Sequence, residues 1–123
     1  MTHAGGVPVR VLIVDDNPRF RLRARRCLEA SAYEVVAEAA NGASALEATR
    51  RHRPAVVLLD IELPDASGAS VAEWLAREPT PPAVVLTSTH DAADFGERLL
   101  HCGARGFLPK AELSSERLSA LLA

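Results

Sequence analysis

Short apolar runs recur along the chain, and each is followed by a polar break and a stretch of helical periodicity. Val9–Val14 (VRVLIV) is the first. Apolar and β-branched, it reads as a strand buried on both faces of a parallel sheet. It stops at Asp15-Asp16-Asn17-Pro18, where Asn17 suits a helix N-cap and Pro18 the first helical position. A helix is predicted over 18–30, with Phe20, Ala24, Cys27 and Leu28 at inward spacing. The alternation then repeats. Residues 34–38 predict a second strand, Asn41-Gly42 a turn, and 44–52 a second helix. Residues 55–60 predict a third strand, 63–68 a loop, and 70–77 a third helix with Val71, Trp74 and Leu75 inward. The stretch EPTPP blocks helix continuation. Ala83–Ser88 is a fourth strand, 91–102 a fourth helix closed by Gly103, 106–108 a short fifth strand. Residues 114–122 predict a fifth helix with Leu118, Leu121 and Leu122 on one face.

Five strands alternating with five helices through short loops predict an α/β fold, a doubly wound five-stranded parallel sheet. Residues 1–8, which contain glycine and end at Pro8, read as a flexible tail ahead of one domain over 9–123. The length, 123 residues, suits one domain and is too short for two ordinary ones. Charge narrows the partners. Fourteen basic residues face sixteen acidic ones, without the positive excess that nucleic-acid binding usually requires. Direct nucleic-acid binding and membrane insertion are not expected, and Cys27 and Cys102 read as unpaired buried thiols of a cytoplasmic protein.

In a doubly wound sheet, ligands meet the carboxyl ends of the strands. Strand one ends in Asp15-Asp16, strand three in Asp60, strand four in Thr87-Ser88, and strand five is followed by Lys110, the only lysine in the chain. Three carboxylates brought together repel, by about 4 kcal/mol per pair at ~4 Å and an effective dielectric near 20. A positive charge should therefore share the space. Oxygen ligands without histidine or cysteine favour a hard cation, Mg²⁺ above Zn²⁺, with Asp16 and Asp60 as direct ligands. A cation, an ammonium and a hydroxyl around one aspartate cradle a phosphoryl group, and that aspartate can itself be the nucleophile. Taken singly, each residue has an ordinary structural explanation: Asp-Asp can start a helix, and Thr-Ser can end a strand in a turn.

The combination resembles the receiver domain of two-component response regulators. The likeness rests on VLIVDDNPRFR, on VVLLDIELPDASG with Asp60, Pro64 and Gly68, on VVLTS with Thr87, and on GARGFLPK with Phe107 and Lys110. DDNPRFR and GARGFLPKAELS are most similar to receivers whose full-length members carry a helix-turn-helix output domain. The resemblance implies a flavodoxin-like fold with strand order 2-1-3-4-5. It implies phosphorylation of Asp60 by a histidine kinase or phosphotransfer protein. Mg²⁺ would be bound by Asp16, Asp60 and the main-chain carbonyl of Glu62, with Asp15 acting through water. Thr87 and Lys110 would contact phosphoryl oxygens, and Thr87 and Phe107 would switch on phosphorylation, with Ser88, Thr89 and Glu62 tuning hydrolysis. The output is then a domain or protein partner, a phosphorylation-dependent homodimer being one form it could take.

The chain departs from that family in two places. Proline commonly follows the lysine there, whereas Pro109 precedes Lys110 and Ala111 follows; and Phe107 stands where tyrosine is frequent. The expected chemistry is confined to the protein itself, so no enzyme acting on a separate substrate is expected. Two alternatives remain open: a Mg²⁺-dependent aspartyl phosphohydrolase, disfavoured by Glu62 two positions after Asp60 and by the lack of length for a cap, and a receiver-like scaffold that only binds partners. Arginines 19, 21, 23, 25 and 26 make the first helix basic, read as a solvated face or as a docking surface for an acidic partner. His90 and His101 are expected at the surface.

Overall fold

The computed structural model describes residues 6–89 and 101–123. Five strands, β1 (Val9–Val14), β2 (Tyr33–Ala39), β3 (Val56–Asp60), β4 (Ala83–Ser88) and β5 (Gly106–Pro109), form one parallel sheet in the order 2-1-3-4-5. This is the expected doubly wound α/β architecture. The α-helices among the described residues are α1 (Pro18–Glu29), α2 (Gly42–His52), α3 (Gly68–Ala76) and a C-terminal helix (Ser115–Leu122). Residues 91–100 of the expected fourth helix, and His90 before it, lie outside the described residues, as do residues 1–5 of the expected tail.

Alternating strand residues feed two separate cores. Val11, Ile13, Val56, Leu58, Val85 and Leu108 pack against α1 through Phe20, Ala24 and Leu28, and against Leu118 of the C-terminal helix. Leu12, Val14, Val57, Leu59, Val84 and Leu86 face the other way, onto Ala45 of α2 and Val71, Ala72 and Leu75 of α3. Such two-sided burial explains why these strands are apolar at nearly every position.

Local capping sets the helix ends. Asn17, Asn41, Ser67 and Ser114 each accept a main-chain N–H from the first turn that follows. Two helices start earlier than the sequence suggests. Asn41 caps α2 rather than sitting in a turn, and α3 begins at Gly68 rather than at residue 70. Trp74 corrects the sequence reading. It is 38% exposed, because α3 turns its small residues Gly68, Ala69 and Ala72 with Val71 and Leu75 toward the sheet. The bulky ring falls beside that stripe rather than on it. Cys102 is buried and Cys27 only half-buried, and neither forms a disulfide. His101 is exposed as expected. No helix among the described residues is long and apolar enough to cross a membrane.

Candidate functional site

The parallel register places the chemistry. Asp60 is the last residue of β3 and pairs with Thr87 of β4, so the carboxylate and the hydroxyl leave adjacent strands side by side. Asp15 follows β1, its main-chain N–H donating to Ala39 at 2.9 Å. Lys110 follows β5 and opens a 3-10 turn, Lys110–Glu112.

The loop after β3 is bent sharply to present Asp60. Ile61 N–H donates to the Thr87 carbonyl at 2.9 Å, and Gly68 N–H returns to the Ile61 carbonyl. A Cβ on Gly68 would lie 2.6 Å from both the Asp60 carbonyl oxygen and Ile61 Cα, so only glycine permits the close approach. The same loop is tied to α2: Asp65 accepts from Gly42 N–H at 2.7 Å and Ala43 N–H at 3.0 Å. Those two amide bonds, Gly42 first, hold its carboxyl below the ordinary carboxylate value.

Asp15, Asp60 and Thr87 are buried, at 0%, 6% and 0% exposure, whereas Asp16 is open to solvent. Lys110 Nζ stands 2.6 Å from Asp15 Oδ2 and 3.2 Å from Asp60 Oδ2. The contact to Asp60 is a hydrogen bond; the shorter one to Asp15 is an ion pair lying off the hydrogen-bond direction, so Asp15 Oδ2 has no aligned donor. Asp15 Oδ1 accepts from Asn17 N–H at 2.9 Å, and Asp60 Oδ1 from Glu62 N–H at 3.1 Å. Burial raises the Asp60 carboxyl above its ordinary value, and the Asp15 charge raises it further; the Glu62 amide and Lys110 only partly offset this. Burial alone would depress the Lys110 ammonium, but its contacts with Asp15 and Asp60 outweigh that and hold it above the usual lysine value. Thr87 Oγ1 is buried without a hydrogen-bond partner. A buried hydroxyl in that state is a group awaiting an acceptor or a donor.

One oxygen from each of Asp15, Asp16 and Asp60 can be chosen so that all three lie within 4.8 Å of one another. An oxygen-only set with one solvent-facing member fits Mg²⁺, which takes one or two carboxylates and keeps several waters. The structure brings the acidic triad and Lys110 together, with Thr87 opposite Asp60 on the neighbouring strand. Phe107 is half-buried and packs on the α2–α3 core, paired in the ladder with Leu86 rather than placed at the carboxylates. Lys110 reaches the carboxylates although Ala111, not proline, follows it.

The sequence reading did not assign four further residues to the site. Asp65 braces the loop beneath Asp60. Phe20 lies under the ammonium, with Lys110 Nζ 4.7 Å from its ring centre. On α1, Arg21 donates to the Asp15 carbonyl at 2.7 Å and Arg23 to the Lys110 carbonyl. Arg21 and Arg25 also pair with Glu38, at 3.0 and 2.8 Å. Burial would raise the Glu38 carboxyl, yet the two arginines hold it below the usual range. Part of the basic helix is thus structural rather than merely solvated. Apolar spacing explains the inward position of Phe20, but no local signal pairs it with a lysine ninety positions away.

Comparison with known proteins agrees with this geometry. The family profile "Response regulator receiver domain" matches residues 11–123. The chain is 41% identical over 115 residues to a Mycobacterium tuberculosis protein named "Probable transcriptional regulatory protein NarL", covering 93% of this chain and 53% of that protein. It is 41% identical over 112 residues to a protein-glutamate methylesterase/protein-glutamine glutaminase of Alkalilimnicola ehrlichii, covering 88% of this chain and 29% of that one. Among solved structures, the signal receiver domain of NarL from Mycobacterium tuberculosis superposes with a TM-score of 0.85 at 37% identity, covering 96% of this chain and 99% of that domain. A LuxR-family two-component response regulator from Aurantimonas sp. gives a TM-score of 0.82 at 28% identity, covering 94% and 86%. The chain spans about half the length of NarL and under a third of the methylesterase. By sequence match and by fold, the chain belongs to the receiver domain family of two-component response regulators.

Proposed function

We propose that residues 9–123 are the receiver proper, preceded by a tail over 1–8, and that Asp60 accepts a phosphoryl group from a histidine kinase or phosphotransfer protein. A single observation carries the reading: one ammonium, three carboxylates and a partnerless buried hydroxyl meet at the carboxyl ends of β1, β3, β4 and β5.

An Asp60 carboxylate oxygen attacks phosphorus, and the bond from phosphorus to the donor's nitrogen or oxygen breaks, its electron pair leaving with the donor. Asp16, Asp60 and the Glu62 carbonyl would hold Mg²⁺ directly and Asp15 through water, and the ion supplies charge stabilisation for the phosphoryl oxygens. Lys110, already beside Asp60, pairs with one of those oxygens. Thr87 turns its hydroxyl toward another and gains the hydrogen bond it lacks. Phe107, next to Leu108 opposite Thr87, shifts inward with it. Ser88, Thr89 and Glu62 border the site and affect how fast the acyl phosphate hydrolyses.

The chemistry is confined to the protein's own aspartate, and the phosphorylated form acts on an output domain or partner protein in the cytoplasm, a homodimer being one such output. With no positive excess in its charge, the chain makes no direct nucleic-acid contact of its own. Exposed arginines of α1, Arg19 and Arg26, face the incoming donor with charge that suits an acidic partner.

Incubation with Mg²⁺ and acetyl phosphate should add the mass of one phosphoryl group to the intact protein. The Asp60→Asn variant should stay unmodified. Equal mass gain in both would remove the assignment.

A further inference from the structure

Phe20 is buried on α1 and takes no part in the chemistry just described. Its ring nevertheless carries two cations. Lys110 Nζ lies 4.7 Å from the ring centre and Arg23 Cζ 5.3 Å from it. Arg23 also donates a hydrogen bond to the Lys110 main-chain carbonyl. One helix therefore holds Lys110 at both ends, the ammonium through the ring and the main chain through the guanidinium.

The arrangement answers a specific physical difficulty. A lysine stem has four rotatable bonds, and its strongly hydrated head gives up water when it enters a half-buried site. Asp15 and Asp60 attract the ammonium from one side, and Asp15 is the nearer at 2.6 Å. Without a counterpoise the head is free to follow Asp15 and leave Asp60. The electron-rich face of Phe20 supplies an attraction of different origin that replaces part of the lost hydration. Arg23 fixes the main-chain point from which the stem departs. The clamp also forms the floor of an open groove of about 390 Å³ beside the site, lined by Asn17, Arg19, Thr89 and Ala111 among others.

We propose that Phe20 and Arg23 are positioning residues, a clamp on α1 that fixes the Lys110 ammonium over the Asp60 carboxylate. The inference rests on the reading of Lys110 as the phosphoryl-binding cation, and its primary test does not need that reading to hold.

Lys110 is the only lysine in the chain, so isotopically labelled lysine gives a single side-chain signal from the intact protein. Its ε-methylene protons should resonate upfield of free lysine because of the Phe20 ring current. Phe20→Tyr should retain that shift and Phe20→Leu should abolish it. In phosphorylation by acetyl phosphate with Mg²⁺, Phe20→Leu and Arg23→Ala should each lower the saturating rate about tenfold, with the donor KM little changed and the rate recovered in Phe20→Tyr. Arg23 is exposed, so its variant reports on the clamp even where the Phe20→Leu variant folds poorly. A wild-type lysine signal at the free position, or one that Phe20→Leu leaves in place, overturns the clamp. So do wild-type rates in both variants when Lys110→Ala is slow. A protein that never gains phosphate overturns the function proposed above instead, and the lysine signal still decides the clamp.

Discussion

Gly68 and Asp60 touch main chain to main chain: a methyl group on the glycine would lie 2.6 Å from the aspartate's carbonyl oxygen. Both neighbours at that distance are main-chain atoms of the loop that presents the acceptor, so nothing flexible can yield. Gly68→Ala should destabilise the fold by about 2 kcal/mol, read from chemical denaturation. It should also slow phosphorylation, because relief of the clash displaces Asp60.

The Asp60 carboxyl is held above its ordinary value by burial and by Asp15. A carboxyl raised in the folded state opposes folding when charged, and that opposition fades as the pH falls through the raised value. Asp60→Asn should therefore stabilise the metal-free protein near neutral pH, by about 1 kcal/mol. Lys110 keeps its partner Asp15 in that variant. The advantage should shrink on acidification and on adding Mg²⁺ to the wild type. Thermal melts of the two proteins at pH 4 and pH 7 measure it.

Asp65 gives the opposite sign. Its carboxyl is lowered by the Gly42 and Ala43 amides, so it contributes stability above its unfolded value of 3.8 that is lost as the pH falls through the lower folded one. Asp65→Ala should lower Tm at pH 7, and the gap to wild type should close below that value. A gap independent of pH would show that packing, not the charge at the α2 terminus, is what the aspartate supplies.

Arg53 closes α2 in the left-handed region, with φ 47° and ψ 59°. For a residue with a Cβ this conformation costs about 1 kcal/mol, and glycine avoids it. Arg53→Gly should raise stability by about that amount, less the bond that Arg10 donates to the Arg53 carbonyl if the loop shifts. Denaturant midpoints decide the sign.

Thr87→Ala removes the only hydroxyl among the described residues that is buried without a partner. Little folded-state interaction is lost, so stability should change by less than about 1 kcal/mol. Phosphorylation of Asp60 should persist, while the change proposed for Phe107 should be lost, as read from aromatic NMR signals before and after acetyl phosphate.

The inner strands β1, β3 and β4 were legible because burial on both faces leaves each as a nearly unbroken apolar run, and β4 falls where the sequence puts it. The strand-end polar residues stood out against those runs for the same reason. Helix starts were less legible. Gly42 and Gly68 look like loop residues locally, and only their neighbours in space, Asp65 and the Asp60 main chain, show why each opens a helix. Trp74 misled because its size suggests a core position, while α3 presents small residues to the sheet. The contacts from α1 to Lys110 join residues about ninety positions apart, and periodicity carries no information about them.

The ladder between β3 and β4 sets Asp60 directly against Thr87. Neighbouring residues of a strand point to opposite layers, so removing one residue from the middle of β4 would send the hydroxyl behind the sheet while leaving an equally greasy strand. On the proposed mechanism, signal transmission is therefore a matter of counting: it would depend on peptide units in step, and a single-residue deletion should silence the response where many side-chain replacements would only weaken it.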